Sequence, residues 1–350
     1  MDWTGLGRHS TRLLAADAAG VAAAGAILRA GGLVAFPTET VYGLGADALD
    51  ARAVARIFAA KGRPADDPLI VHLAATSDLG LVARPGEAAV RLAQAFWPGP
   101  LTLVMPKAPV VPGSVTAGLP TVAVRVPAHP VARALIVAAG TPIAAPSANL
   151  FSRPSPTRAQ HVLDDLAGRI DAVVDGGPTA VGVESTIVDV SGAEPRLLRP
   201  GGIAAEDVER VLGRPLGPAP TGAATPGPLP APGLLPTHYA PRTPLVLVAG
   251  PDPAVRLAAE VRAALAEGKR VGVLLLDEDE ARLSATGGFA VARVGTWSDP
   301  AGSAAGLFDA LRALDGLGLD VLYARDVADP TVGLGRALAD RLRRAAARVL

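Results

Sequence analysis

Thr38, Glu39, Thr40 and Tyr42 stand directly behind the apolar run 33–36, which Pro37 closes. In an open α/β sheet the ends of strands are where ligands are met, so hydroxyls, a carboxylate and a phenol at such an end suggest contact chemistry. Gly43 and Gly45 read as turn glycines that allow unusual backbone angles and close approach. Next comes Lys61-Gly62-Arg63. Only three of the 33 basic residues are lysines, and an ammonium beside a guanidinium suits phosphate, a compact charge next to a forked one. Lys61 also ends a helix pattern, where a cation complements the helix dipole. Asp67 follows, and His72 sits inside an apolar strand as either a core histidine or a ligand contact.

Further along, Thr121-Val-Ala-Val-Arg125 alternates its faces, with Thr121, Ala123 and Arg125 together on one of them. An arginine on so apolar a strand needs an anion, either an internal carboxylate or a ligand's carboxylate or phosphate. Ala145-Pro-Ser147-Ala-Asn149 again follows a short strand, and Ser155-Pro-Thr157 comes shortly after. Hydroxyls and an amide there can orient phosphate and ribose oxygens. Ser155 and Thr157 can equally cap the helix that follows. Glu184-Ser185-Thr-Ile-Val-Asp189 and Arg199-Pro-Gly-Gly202 read, taken alone, as strand edges and a turn.

Several kinds of chemistry are missing. The chain has no cysteine, so it offers no disulfide, thiolate metal site or cysteine nucleophile. It has no phosphate-binding Gly-x-x-x-x-Gly-Lys loop, no Gly-x-Ser-x-Gly elbow and no His-Glu-x-x-His pair, and its five histidines are scattered. The clusters therefore suit a device that positions reactants better than one that attacks them covalently. A formal net charge of zero gives no overall pull toward nucleic acid or membrane. An RNA-binding module without chemistry is the alternative reading. Its weakness is that aromatics make up only 3% of the chain, too few for the stacking that single strands require.

The elements that must hold these residues alternate. Strands are expected at 33–36, 69–73, 101–105, 122–126, 143–145, 172–174 and 186–190. Helices are expected at 11–29, 51–60, 87–96, 130–139 and 158–166. The alanine-rich start is too poor in large apolar residues for a membrane span and reads as an amphipathic first helix. From 214 to 244, ten of 31 residues are proline, a composition expected to run extended and to pack no core. Beyond it, strands at 245–249, 271–276, 291–294 and 321–324 alternate with helices at 253–267, 301–314 and 334–349, which predicts a small parallel sheet. Gly333-Leu-Gly335 reads as a plain helix start, since the dinucleotide fingerprint would follow a strand directly and add a third glycine. The expected division is 1–213, a linker at 214–244, and 245–350.

Taken together and in order, Phe36-Pro-Thr-Glu-Thr-Val-Tyr-Gly-Leu-Gly45, Lys61-Gly-Arg63 through His72, Trp97-Pro-Gly-Pro-Leu-Thr102, the Arg125 strand, Ala145-Pro-Ser-Ala-Asn149 and Glu184-Ser-Thr-Ile-Val-Asp189 resemble the Sua5/YrdC family of threonylcarbamoyl-AMP synthases. The linker, with His238-Tyr239-Ala-Pro241, and the tail are similar to the longer Sua5 form. The resemblance implies an α/β fold, a YrdC-like twisted open sheet with flanking helices, plus a smaller Rossmann-like α/β C-terminal domain. It implies a cytoplasmic nucleotidyltransferase that makes threonylcarbamoyl-AMP and pyrophosphate from L-threonine, bicarbonate or CO2, and ATP with Mg2+. The product would pass to downstream tRNA threonylcarbamoyl-transfer proteins for N6-threonylcarbamoyladenosine at tRNA position 37, and contact with tRNA or double-stranded RNA is compatible with this.

By the same resemblance Thr38, His72, Arg125, Ala145 and Ser185 would surround threonine. Arg63, Asp67, Thr121, Ser147, Ser155, Arg199 and Tyr239 would contact ATP, with Lys61 on phosphate and Asn149 nearby. Lys61 and Arg63 would be the catalytic cations. Two departures stand out: Asp67 replaces the family's usual asparagine, and Phe151-Ser152 replaces its usual serine-glycine. Carbamoyl transfer in hydrogenase maturation uses a related domain but brings cysteine-rich zinc modules, which a chain without cysteine lacks. Adenylation of another amino acid is a further enzyme reading.

Overall fold

The computed structural model describes residues 10–218, 227–283 and 286–350. The linker's residues 219–226 therefore lie outside the described part. The first half runs β1 (Arg12–Ala15), α1 (Ala18–Arg29), β2 (Val34–Phe36), β3 (Gly43–Asp47), α2 (Ala51–Lys61), β4 (Ile70–His72), α3 (Leu79–Val82), α4 (Glu87–Phe96), β5 (Leu101–Pro106) and β6 (Thr121–Arg125). It continues with α5 (Pro130–Ala139), β7 (Ile143–Ala144), α6 (Ala159–Leu166), β8 (Ala172–Asp175), β9 (Thr186–Asp189), β10 (Arg196–Arg199) and α7 (Ala205–Leu212). These strands form one mixed ten-stranded sheet in the order β1-β8-β2-β3-β7-β4-β6-β5-β9-β10.

The second half runs β11 (Leu245–Val248), α8 (Pro253–Ala266), β12 (Val271–Leu275), α9 (Glu280–Leu283), β13 (Ala290–Arg293), α10 (Pro300–Asp315), β14 (Val321–Arg325), α11 (Gly333–Ala345) and β15 (Arg348–Val349). Its five strands pair in the order β13-β12-β14-β11-β15, parallel throughout. The mixed α/β class and the small parallel second sheet are as the sequence implies, and Gly333 opens the last helix as expected.

Local chemistry sets the helix limits. Asp17 and Asp50 cap α1 and α2 by accepting from Gly20 N and Arg52 N, each at 2.8 Å. Gly62, left-handed at φ 64°, ends α2 and sends Arg63 away from the helix axis. Helices α2, α4, α6 and α7 cover one face of the large sheet through residues such as Val54, Ile57, Leu92, Val162 and Val208. The other face is closed by α1 and α5 through Leu28, Leu135 and Ile136.

Four expectations need correcting. The expected helix 11–29 begins only at Ala18; residues 12–15 instead add β1 to the sheet edge by parallel pairing with β8. Asp17, as the cap, fixes that break. Gly43 and Gly45 are not turn glycines: they open β3, antiparallel to β2, with no positive φ. Gly45 is small because a Cβ there would come 2.8 Å from Ile143 Cγ2 and 2.9 Å from Phe36 Cε1. The expected helix 334–349 stops at Ala345, and Arg348–Val349 pairs with β11.

The linker is the fourth. Residues 227–244 form neither helix nor strand, yet they pack inward, with Ala231 and Tyr239 buried among the cores of the two halves. Proline lacks an N–H to satisfy, so such a segment can be buried provided its carbonyls find donors. Arg199 Nη1 donates to Pro232 O at 3.2 Å, and Arg344 Nη1 to Leu235 O. No helix among the described residues is long and apolar enough to cross a membrane.

Candidate active site

The hairpin between β2 and β3 is built around Thr38. Its hydroxyl donates to Val41 O at 2.6 Å and accepts from the N–H of Thr40 and of Val41, a local turn that competes successfully with strand pairing. Thr40 is thereby aimed at Arg125, whose Nη1 donates to its hydroxyl at 2.9 Å. Arg125 ends β6 beside His72 at the end of β4, the two being register partners. Its Nε donates to Gly99 O, and its Nη2 lies 2.7 Å from Glu39 Oε1. Of the two partners the sequence left open for this buried arginine, the internal carboxylate is therefore present. Burial, the largest single influence, pushes the Glu39 carboxyl up, but the Arg125 charge and the hydrogen bonds from Arg125 and the backbone together bring it below its usual value.

His72 is buried edge-on to Phe36, with Nδ1 3.2 Å from Ile70 O. Burial, assisted by Arg125, lowers it to about 3, so the imidazole is neutral at physiological pH. Ala145 follows β7 and packs against Gly43, and Ser147 forms an isolated bridge with Gly43. On the far side Ser185 Oγ lies 2.7 Å from Thr102 Oγ1, and Arg199 reaches Ser185 O from both Nε and Nη2.

These groups converge. Thr38, Arg63, His72, Arg125 and Ala145 line one cavity, together with Ser147, Ser185, Arg199 and Tyr239. The linker closes it, with Pro232, Gly233, His238 and Tyr239 in its wall. About 50 Å³ remains open to a water-sized sphere, far less than a nucleotide needs. Several buried polar atoms in or beside the cavity have no hydrogen-bond partner: Tyr239 Oη, His238 Nδ1 and Asn149 Oδ1. Such atoms cost stability when left unmatched and mark where a polar ligand would be met. Tyr239 adopts φ 62°, rare outside glycine, which holds its ring within 4.1 Å of the His238 ring.

Four expected residues sit just behind the wall. Lys61 is buried and donates from Nζ to Ser147 O and Asn149 O, each at 2.6 Å, tying the end of α2 to the serine-asparagine loop. Burial first and Arg63 second hold its ammonium well below the usual lysine value. Asn149 spends its amide on Leu150 O and Arg153 O, while Ser155 donates to Glu184 Oε1. Asp67 is fully buried, with Oδ1 2.8 Å from Arg63 Nη2; burial raises its carboxyl despite Arg63 and Lys61. Arg63 also donates to Asp67 O and Pro68 O. Thr121 is different: it starts β6 opposite Pro106, at the other end of the strand from Arg125, and does not line the cavity.

Glu184, His238 and Arg341 join the site without having been assigned a contact, while Glu39 and Thr40, read as contact chemistry at the strand end, meet Arg125. Arg341 did carry a signal, a charge set at helical spacing into the stripe Leu334, Leu338 and Leu342. The site cations can receive anions, and the carboxylates paired with Arg125 and Arg341 help to fix the geometry around them. Among the described residues, no three or more histidine or acidic side chains gather to hold a metal by themselves.

Known proteins bear on this geometry. A family model named for Sua5, YciO and YrdC, described as telomere recombination, matches residues 26–201. A second, described as the threonylcarbamoyl-AMP synthase C-terminal domain, matches residues 203–347. A threonylcarbamoyl-AMP synthase of Pyrococcus abyssi is 48% identical over 329 residues, covering 92% of each chain. One from Bacillus subtilis is 47% identical over 330 residues, 93% of this chain and 92% of that one. A crystal structure of P. abyssi Sua5 complexed with L-threonine superposes with TM-score 0.89 at 44% identity, over 97% of this chain and 99% of that one.

Proposed function

We propose a function from one premise: this chain belongs to the Sua5/YrdC family of threonylcarbamoyl-AMP synthases, in the long form that carries a C-terminal domain. It is a nucleotidyltransferase-type enzyme that joins L-threonine, bicarbonate or CO2, and ATP into threonylcarbamoyl-AMP and pyrophosphate, in service of tRNA modification. The observation that carries the reading is the convergence of Thr38, Arg63, Arg125, Ser147 and Arg199, far apart in sequence, on one buried cavity.

In this reading the threonine amine captures CO2 as a carbamate, and the carbamate oxygen attacks the α-phosphorus as pyrophosphate leaves. No protein nucleophile is needed. Arg125, held by Thr40 and Gly99, orients the threonine carboxylate, and neutral His72 offers a hydrogen bond without adding charge. Arg63, Lys61 and Arg199 offset the negative charge that two anions bring together, and alignment lowers the barrier. Mg2+ would come with the nucleotide's phosphates; Asp67, the buried carboxylate nearest to Arg63, is paired with that guanidinium behind the wall and does not line the cavity. Residues 1–213 would hold this chemistry and 245–350 would brace it. The linker would swing aside to admit ATP and close over a water-labile product. The reading places the enzyme in the cytoplasm, handing its product to tRNA-modifying proteins.

Pyrophosphate release with ATP, bicarbonate and L-threonine, each omitted in turn, tests this. Release is expected only when all three are present; release indifferent to threonine would reject it.

A further inference from the structure

The C-terminal half enters the site through a side chain that does not itself touch the cavity. Arg341, on α11, is fully buried, and its Nε lies 2.6 Å from Glu184 Oε2. Its Nη2 donates to Pro200 O at 3.0 Å, its Nη1 pairs with Asp340 at 2.6 Å, and its guanidinium lies 5.1 Å over the Tyr239 ring. Glu184 is the single carboxylate among the described residues lining the cavity, against three arginines. Its second oxygen accepts from Ser155. The carboxylate is therefore held at both ends, by a hydroxyl from the first half and a guanidinium from the second. Left alone, a buried carboxylate there would repel an incoming anion and compete for Arg199.

We propose that Arg341 is a positioning residue for the cavity: by pairing with Glu184 it neutralises that carboxylate and keeps the wall at Arg199 and Tyr239 receptive to a nucleotide's phosphates. The inference rests on the reading that the cavity takes ATP. It gives the C-terminal half a part in ligand binding, exerted through Glu184. The ion pairs Arg153–Asp315, Arg312–Asp165 and Arg158–Asp309 join the halves elsewhere and do not involve Glu184.

The test measures Mg-ATP and L-threonine affinity by calorimetry on full-length chains. Arg341→Met is expected to weaken ATP binding at least tenfold while threonine binding changes less than threefold. Adding Glu184→Gln to it should restore ATP binding to within threefold of the unmodified chain, which a purely structural role would not do. Arg341→Lys should fall between. Should Arg341→Met fail to fold, the lysine variant and the Met/Gln double variant carry the comparison. Arg158→Met, which loosens the contact between halves at its exposed rim, should leave ATP affinity unchanged. The proposal is overturned by an Arg341→Met affinity within twofold of the unmodified chain, by a double variant as weak as the single one, or by an equal loss in Arg158→Met. If the unmodified chain binds no ATP, both this inference and the functional reading fall; if it binds ATP but releases no threonine-dependent pyrophosphate, only the latter does.

Discussion

Asp67 decides how much of Arg63's charge a ligand can feel. The pair lies 2.8 Å apart in a fully buried setting, and the carboxylate stands where the family usually has asparagine. An asparagine would keep the shape and release the guanidinium. Asp67→Asn is therefore expected to lower the KM for ATP about tenfold, roughly 1.4 kcal/mol, with little change for threonine. Steady-state pyrophosphate release reads this directly, and a KM that rises would mean that the carboxylate serves the nucleotide, as a magnesium ligand would. At this scale the sequence was informative where an ionisable or hydroxyl residue followed an apolar run, as at Thr38, Arg63 and Ser147. It was silent on Glu39, because nothing along the chain marks which carboxylate will meet Arg125 across 86 positions.

Elements were legible where apolar runs were unbroken. The strands around 70, 103, 123 and 187 appear within a residue or two of their expected limits, and α5 spans the expected 130–139. β3 was missed because Gly-Leu-Gly-Ala-Asp carries the residues of a turn. Its neighbours explain the choice: Phe36 on β2 and Ile143 on β7 crowd the space a side chain would fill. β10 and α7 were missed because Arg196–Arg199 has charged ends and α7 shows only a short apolar stripe, so tertiary packing, not propensity, fixes both. Gly45→Val should therefore cost about 1–3 kcal/mol by overpacking and lower the thermal midpoint, since the steric conflict lies in the middle of the large sheet. A midpoint unchanged by the valine would show that β3 can shift away from its neighbours.

The whole molecule behaves as two halves joined over a shared core. Val41 and Val183 of the first half pack with Leu307, Phe308 and Leu338 of the second, and Tyr239 of the linker lies among them. Gly182 comes so close to α10 that a Cβ would stand 2.2 Å from Ala304 O. Three buried histidines sit in different parts of this assembly: His72 in the sheet and His238 in the linker are lowered to about 3, and His161 at the joint to about 4, each chiefly by burial. All three are neutral when folded and take protons near 6.5 when unfolded, so the unfolded chain binds more protons between those values. Their contribution is complete above pH 6.5 and is lost as pH falls, toward about 4 for His161 and about 3 for His72 and His238, at up to about 1.4 kcal/mol per pH unit for each. Glu39 and Glu184, lowered on folding, add a further loss below about pH 4.5. Asp67, raised by burial, opposes it. Calorimetric midpoints should hold from pH 8 to 6.5 and then drop; a flat profile from pH 7 to 5 would contradict the neutral histidines. Glu184 and its guanidinium partner are 157 positions apart, and a ribosome adding roughly 5–20 residues per second needs on the order of ten to thirty seconds to bridge that gap. Until then the nascent polypeptide carries every motif of the first half, but the acid at its centre is held by Ser155 without its guanidinium partner. A messenger cut short within that interval would give a product that shows every signature segment of the first half yet never acquires the guanidinium that pairs with Glu184.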